Sequence, residues 1–126
     1  MTTLQPFIGI VQGDACGIGP ELMSKLLQKL TAAERNRVLI ISDQRIMTAG
    51  NAVTGQETHC KRLNEPTEID PECGQPQLLD IRCLDPANIV PGSVSVDAGR
   101  AVLKTFGLAI DLAQRDVIEG ICFMPF

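Results

Sequence analysis

The sequence predicts an α/β protein built on a mostly parallel sheet with flanking helices. Short apolar runs recur along the chain and alternate with segments of helical period, at residues 7–11, 38–41, 78–84 and 117–124. The run at 38–41 is apolar throughout, as expected for a central strand covered on both faces. Strands that alternate with helices indicate parallel βαβ units, so this order predicts the fold class.

Composition narrows the class of protein further. The 126 residues suffice for one domain, and 44% of them are apolar. A net charge of −4 without a basic patch argues against nucleic acid as a partner. No apolar run approaches the length of about 20 residues that a membrane crossing needs. Residues 1–6 lack the pattern of a secretory signal, so we expect a cytoplasmic protein whose five cysteines are reduced.

The first structural unit is a strand, a glycine-rich loop and a helix. The strand at residues 7–11 leads into the loop at 13–21, and the helix runs from Pro20 to about Leu30. Pro20 suits the first helical turn, where its missing N–H costs nothing. Glu21 then places negative charge near the positive end of the helix dipole.

A second strand at residues 38–41 leads into a shorter helix. Ser42 and Asp43 are interpreted as its N-cap, and Gly50 as its stop just after Ala49. From there to Pro76, repeated prolines and glycines predict irregular structure.

The last third of the chain repeats the strand and helix pattern. Residues 78–84 are a strand candidate in which Asp80 is expected to face solvent or lie near an edge. A long helix is predicted from Ser95 to about Arg115, with Ser95 as its cap and Asp97 in its first turn. The final strand, 117–124, is followed by only two residues. Because chemistry in such folds gathers beyond strand ends, we expect this chain to be the front piece of a longer protein.

The loop at residues 13–21 is the main candidate for a functional site. It lacks the third glycine of the dinucleotide fingerprint, since Leu22 occupies that position, and it has no P-loop lysine. Glycines and the amides of a helix start can nevertheless face an anion. On spacing alone, a tight turn between strand and helix remains the alternative interpretation.

Three other sequence patterns are weaker indications of a functional site than the loop at residues 13–21. Asp14, Asp43 and Asp80 near strand ends suggest a phospho-receiver domain, but Asp14 lacks an acidic neighbour and no lysine follows the last strand. His59 is interpreted as a surface loop residue. The cysteines near it lack the paired short spacing of a zinc site, so no metal ligands are predicted in this chain.

The loop sequence Gly-Asp-x-x-Gly-Ile-Gly-Pro-Glu resembles the 4-hydroxythreonine-4-phosphate dehydrogenase family, with Ala15 and Cys16 replacing the family's Pro-Ala. Residues 92–101 are similar to the family's segment before a long helix. Residues 120–126 are similar to a strand that the family usually ends as Thr-Ala-Pro-Ile-Asn-Lys. The three matches occur in the right order and span nearly the whole chain. The resemblance implies that residues 1–126 are a single α/β segment, the N-terminal part of a longer two-domain dehydrogenase.

The resemblance implies a fold like that of the isocitrate and isopropylmalate dehydrogenases and an oxidation of a secondary alcohol by NAD or NADP. It implies a divalent metal bound by three histidines beyond residue 126, so neither catalytic nor metal-binding residues are carried over to this chain. The implied cofactor-binding positions lie in the loop and in the second segment: Gly13, Asp14, Gly17, Gly19, Glu21, Ser95 and Gly99.

The implied substrate is a small molecule of the 4-phosphohydroxythreonine type, whose keto product loses carbon dioxide in pyridoxine biosynthesis. Relatives of the family act on dihydrodiol dicarboxylates or phosphorylated sugar acids, and these stay open as alternatives. The resemblance also implies a homodimer of the full-length protein, while the 126-residue chain alone is expected to be inactive. A non-catalytic α/β binding or structural domain is the alternative from another class.

Overall fold

A computed structural model of the chain describes residues 6–126, so residues 1–5, which contributed to the prediction that a secretory signal is absent, lie outside the described residues. The described part forms a sheet in the order β3-β4-β2-β1-β5, and all four neighbouring pairs are parallel. The strands are β1 (Ile8–Val11), β2 (Val38–Ser42), β3 (Lys61–Leu63), β4 (Gln77–Asp80) and β5 (Gly120–Phe123). The predicted α/β class with a parallel sheet is therefore confirmed.

Helices cover both faces of this sheet. They are α1 (Gly19–Lys29), α2 (Ala32–Arg35), α3 (Gln44–Thr54) and α4 (Val96–Gln114). Alternate residues of β2 point to opposite faces: Ile40 packs with Met23 of α1 and Met47 of α3, whereas Leu39 and Ile41 share a cluster with α4. Among the described residues, no helix has the length and apolar character that a membrane crossing requires.

Helix α3 is longer than the sequence predicted. Gly50 does not end it; the helix continues to Thr54 and ends at Gly55, which takes the left-handed conformation with a φ of 69°. Gly50 instead lies where α3 meets α1, and a Cβ there would stand 2.7 Å from the carbonyl oxygen of Pro20. The glycine allows a close approach of two helices, a tertiary reason that local sequence does not show.

Residues 51–76 are also more regular than predicted, because they contain the end of α3, β3 and a short 3-10 turn at Pro66–Glu68. The two later strand candidates, in contrast, are shorter than predicted. Strand β4 ends at Asp80, and Arg82 just beyond it has a φ of 45° that turns the chain. Helix α4 ends at Gln114, and Asp116, with a φ of 57°, turns the chain beyond it. Strand β5 therefore begins only at Gly120.

Candidate functional site at the carboxyl edge of the sheet

The carboxyl ends of β1 and β5 lie side by side where the strand order changes direction. From β1 the chain passes through α1 to β2 on one side, whereas β5 pairs with β1 on the other side. In open parallel sheets, ligands bind outside the strand ends at such a topological switch point. The glycine-rich loop follows β1 here, and residues 124–126 follow β5.

Backbone contacts join these two segments. Gly13 has a φ of +75°, and a Cβ on it would lie 2.5 Å from the carbonyl oxygens of both Met124 and Pro125. The amide of Asp14 donates a hydrogen bond of 3.0 Å to the Pro125 carbonyl. The glycine at position 13 is thus required by the approach of the chain that leaves β5.

Gly19 has a similar role on the other side of the loop. It is a buried residue at the start of α1, and a Cβ on it would overlap the carbonyl oxygen of Gln12. Gly19 is therefore explained by the close approach of α1 to the end of β1.

Two backbone amides of the loop donate hydrogen bonds to another residue of the loop. The Cys16 amide donates to Oδ1 of Asp14 at 2.9 Å, and the Gly17 amide donates to the Asp14 carbonyl at 3.0 Å. Pro20 has no amide to offer, and Glu21 adds a second carboxylate at the helix start. The amides of residues 14, 16 and 17 therefore hold the loop in place.

The second predicted segment meets the loop directly. The Gly92 amide donates a hydrogen bond of 2.7 Å to the Cys16 carbonyl, and the Cys16 side chain packs with Ala98 of α4. The Ser95 hydroxyl accepts from the Ala98 amide at 3.2 Å, so the predicted cap is confirmed. Gly99 is exposed, and a Cβ there would meet nothing within 4 Å.

A cavity of about 240 Å³ opens beside the loop. Its walls come from the loop, from α1 and α3 and from the segment before α4, and they include Pro20, Gly50 and Ile89. The lining is mainly apolar, with the Glu21 carboxylate as its ionisable group. Among the predicted site residues, Gly17 and Glu21 line the cavity, whereas the other five do not: Gly13, Asp14, Gly19, Ser95 and Gly99.

A buried polar network lies at the carboxyl ends of β1 and β2. The Gln12 side chain is fully buried, and its Oε1 accepts from the Ser42 hydroxyl at 2.5 Å and from the Asp43 amide at 3.3 Å. Its Nε2 has no hydrogen-bond partner among residues 6–126. Sequence analysis missed Gln12, although it is the first polar residue after an apolar run, as Ser42 is in the second strand.

Asp43 continues this network and is confirmed as the cap of α3. It accepts from the Arg45 amide at 2.9 Å, and its carboxylate binds the Arg45 guanidinium through two contacts of 3.0 and 2.9 Å. The Leu84 amide donates to it at 3.3 Å. Burial pushes the pKa of the Asp43 carboxyl upward, but these donors outweigh burial and hold the pKa below its ordinary value.

Asp80 does not face solvent, as one of its two predicted positions required, but it lies near an edge of the sheet, because β4 pairs with the edge strand β3. Its carboxylate is buried, forms an ion pair of 2.6 Å with Arg62 and accepts from the Gln44 amide at 3.1 Å. Arg62 lies on β3, a strand that sequence analysis did not predict. The partner of Asp80 therefore comes from an element that only strand pairing reveals.

The described residues do not form a metal site. Among residues 6–126, no group of three or more histidine, cysteine, aspartate or glutamate side chains is placed to hold a metal ion. His59 is exposed and lies 3.9 Å from Glu57, in line with its interpretation as a surface residue. Burial raises the pKa of the Cys60 and Cys83 thiols to about 11.

Together these features define a parallel α/β domain whose carboxyl edge is held by a glycine loop, a neighbouring strand end and a buried polar network. No family model matches the chain. A D-threonate 4-phosphate dehydrogenase of Cupriavidus necator is 30% identical over 125 residues, which cover 99% of this chain and 37% of the relative.

Solved structures agree with this relationship. A 4-hydroxythreonine-4-phosphate dehydrogenase from Burkholderia phymatum matches with a TM-score of 0.82 and 30% identity, over 96% of this chain and 36% of that structure. One from Klebsiella pneumoniae matches in fold with a TM-score of 0.80 at 23% identity, over 96% of this chain and 37% of that structure. Over nearly its whole length the chain is similar to 4-hydroxythreonine-4-phosphate and D-threonate 4-phosphate dehydrogenases, and it spans about a third of the length of the relatives it matches.

Proposed function

We propose that this chain supplies one wall of the active-site cleft in a dehydrogenase that oxidises a phosphorylated hydroxy acid with NAD or NADP. The observation that carries the proposal is the carboxyl edge, where residues 13–21 meet the end of β5 and the segment before α4. All three segments carry the sequence resemblance, and the fold brings them together at the place where parallel sheets bind ligands.

The substrate class follows from the names of the relatives. 4-Hydroxythreonine 4-phosphate and D-threonate 4-phosphate are both four-carbon acids with a terminal phosphate and an oxidisable secondary alcohol. We propose that the substrate is a compound of this class, a four-carbon hydroxy acid with a terminal phosphate. Oxidation of the first compound and loss of carbon dioxide would place the protein in pyridoxine biosynthesis. The D-threonate compound is the second candidate, because a relative with that name is 30% identical to this chain.

The contribution of this chain would be structural support for the cleft. Gln12, Ser42 and Asp43 form hydrogen bonds that fix the ends of β1 and β2. The contact between Gly13 and residues 124–125 fixes the loop relative to β5. A fixed wall can orient a substrate, since catalysis depends on holding reacting groups in a productive geometry.

We do not assign the metal ligands or the reacting groups to this chain. Among residues 6–126, no group of three or more histidine, cysteine, aspartate or glutamate side chains could hold a metal ion. The metal ligands would lie in a part of the family that this chain does not span, and the whole protein would be a cytoplasmic homodimer.

A chimera tests the proposal. Residues 6–126 would replace the matching segment of the Burkholderia phymatum enzyme, and reduction of NAD and NADP would be followed with both phosphorylated acids. Activity above that of the isolated chain is expected, and a chelator should abolish it. A chimera that folds, as shown by circular dichroism, but reduces neither cofactor would overturn the proposal and favour a non-catalytic domain.

A single variant with a matched control tests whether the cavity belongs to the active-site cleft. Glu21→Gln removes the carboxylate from the cavity beside the loop while keeping the size of the side chain. If the cavity belongs to the cleft, the variant should change KM for the substrate or the cofactor. His59→Gln serves as the control, because His59 is exposed on a loop and does not line that cavity.

A further inference from the structure

One wall of the cavity beside the loop is formed by the chain between β4 and α4. Residues 84–92, which we call the wall segment, contribute Pro86, Ile89 and Pro91 to the lining. Their regular part is a 3-10 turn at Pro86–Asn88. A connecting segment of this kind takes its position from contacts with the rigid elements around it, so these contacts set the width of the cavity.

An ion pair at the end of β2 holds the first residue of the wall segment. The Leu84 amide donates to Oδ2 of Asp43 at 3.3 Å, and the Leu84 carbonyl accepts from the Arg45 guanidinium at 3.2 Å. The same two side chains bind each other at 2.9 Å. Asp43 is fully buried and Leu84 is 4% exposed, so water has little access to the backbone groups of Leu84. One ion pair therefore satisfies both of them.

The far end of the wall segment is held by the loop after β1. The Gly92 amide bonds to the Cys16 carbonyl, and Gly92 has a φ of +76° that turns the chain before α4. Between the two ends, Ile89 packs on the apolar cluster that includes Cys16 and Leu84. The ion pair and the loop are thus the two supports of the wall segment.

Loss of the ion pair would remove the first support. Hydrogen bonds to a charged partner are stronger than neutral ones, and both bonds of Leu84 are of this kind. Without Arg45, the Leu84 carbonyl loses a donor and the buried Asp43 carboxylate loses its opposite charge. Both losses are unfavourable where water is excluded, so the carboxylate or the wall segment would have to move to reach solvent.

We propose that Asp43 and Arg45 are positioning residues that hold the wall segment and so set the shape of the cavity. Neither side chain lines the cavity, so both would act on a bound molecule through the backbone of Leu84. Their effect on the position of the wall segment stands by itself. Their effect on catalysis rests on the proposed function, in which this cavity belongs to the cleft.

Amide hydrogen exchange of the 126-residue chain, followed by NMR, tests the position of the wall segment. In Arg45→Met, the Leu84 and Gly92 amides should exchange at least about tenfold faster relative to the amides of β2. Arg62→Met is the matched control, because Arg62 is also partly exposed and also pairs with a buried aspartate, Asp80. Equal relative exchange of the wall segment in the two variants would overturn the proposal.

A second variant decides the question if circular dichroism shows that Arg45→Met does not fold. Arg45→Lys keeps the charge beside Asp43 but replaces the guanidinium fork by one nitrogen, which cannot bind Asp43 twice and also reach Leu84. Faster exchange confined to the wall segment is expected. A wall segment that exchanges as slowly as in the unchanged chain would overturn the proposal.

Kinetics of the chimera described above test the effect on catalysis. Arg45→Met should raise KM for the substrate or the cofactor at least about threefold and change kcat by less than about twofold, because it moves a wall of the cavity and touches no reacting group. Arg62→Met should leave both constants unchanged. A fall in kcat at constant KM would contradict a positioning role. An inactive chimera with Arg45 intact would overturn the proposed function instead, and hydrogen exchange would still decide the role of Arg45.

Discussion

The amide of Asp14 donates a hydrogen bond of 3.0 Å to the carbonyl oxygen of Pro125, which joins the loop after the first strand to the chain after the last. More than a hundred residues separate these two groups in sequence. The contact closes the carboxyl edge of the sheet at its switch point, so residues that pack at this edge should be sensitive to added atoms.

Gly13→Ala should lower the free energy of unfolding by about 3 kcal/mol, because it combines an unfavourable φ with a clash against backbone. The added Cβ would lie 2.5 Å from the Met124 and Pro125 carbonyl oxygens. Gly55→Ala is the matched control, since Gly55 has a φ of 69° but open space around it. It should cost only about 1 kcal/mol. Equal losses in urea unfolding would contradict this account of Gly13.

Gly50→Ala should destabilise the protein by about 2 kcal/mol, although alanine is the better helix former. The reason is the 2.7 Å approach of its Cβ to the Pro20 carbonyl oxygen between α3 and α1. Gly107→Ala, in the open part of α4, should instead stabilise by up to about 1 kcal/mol. Urea denaturation of both variants measures the difference, and a stabilised Gly50→Ala protein would refute the close contact.

Asp43→Asn should cost about 2 kcal/mol at neutral pH, because it leaves the Arg45 guanidinium without its carboxylate. Arg45 is 36% exposed, so solvent offsets part of the loss. The folded-state pKa of Asp43 lies below its ordinary value of 3.8. Its contribution is therefore complete above that pH and is lost as the pH falls through the folded pKa.

Urea unfolding of Asp43→Asn and the unchanged protein over this acidic range gives the test. The difference between the two should shrink as the pH falls below about 3.8. A difference that stays constant into strong acid would mean that ionisation of Asp43 does not stabilise the fold.

Cys122 should react with iodoacetamide well before Cys60 and Cys83 at neutral pH. Cys122 is exposed, whereas burial raises the pKa of the other two thiols from 9.0 to about 11. Their reactive thiolate fraction is then smaller by about a hundredfold. Peptide mapping by mass spectrometry measures the order, with Cys122→Ser as the control that should lose the rapid phase. Early labelling of Cys83 would contradict the burial of its thiol.

Sequence patterns predicted the elements that local chemistry controls. Apolar runs indicated β1 and β2, and the caps at Asp43 and Ser95 followed from side chains that bond to nearby amides. The capping box at Thr31 and Glu34 was equally local and could have predicted α2. The family resemblance likewise depended on short motifs that lie along the chain.

Contacts between distant segments explain what the patterns missed. Asp80 is buried because β3 brings Arg62 beside it, and β3 has only three residues, two of them charged, so it carried little strand signal. Gln12 became part of a polar network only when β2 lay next to β1. Gly13 and Gly50 are required by backbone from other parts of the chain.

The alternation of the main strands and helices, and the caps at Asp43 and Ser95, were already determined by the sequence, because each depends on neighbours within a few residues. The burial of charges and the close approaches of backbone were decided by the tertiary structure alone, because both depend on segments that meet only in space.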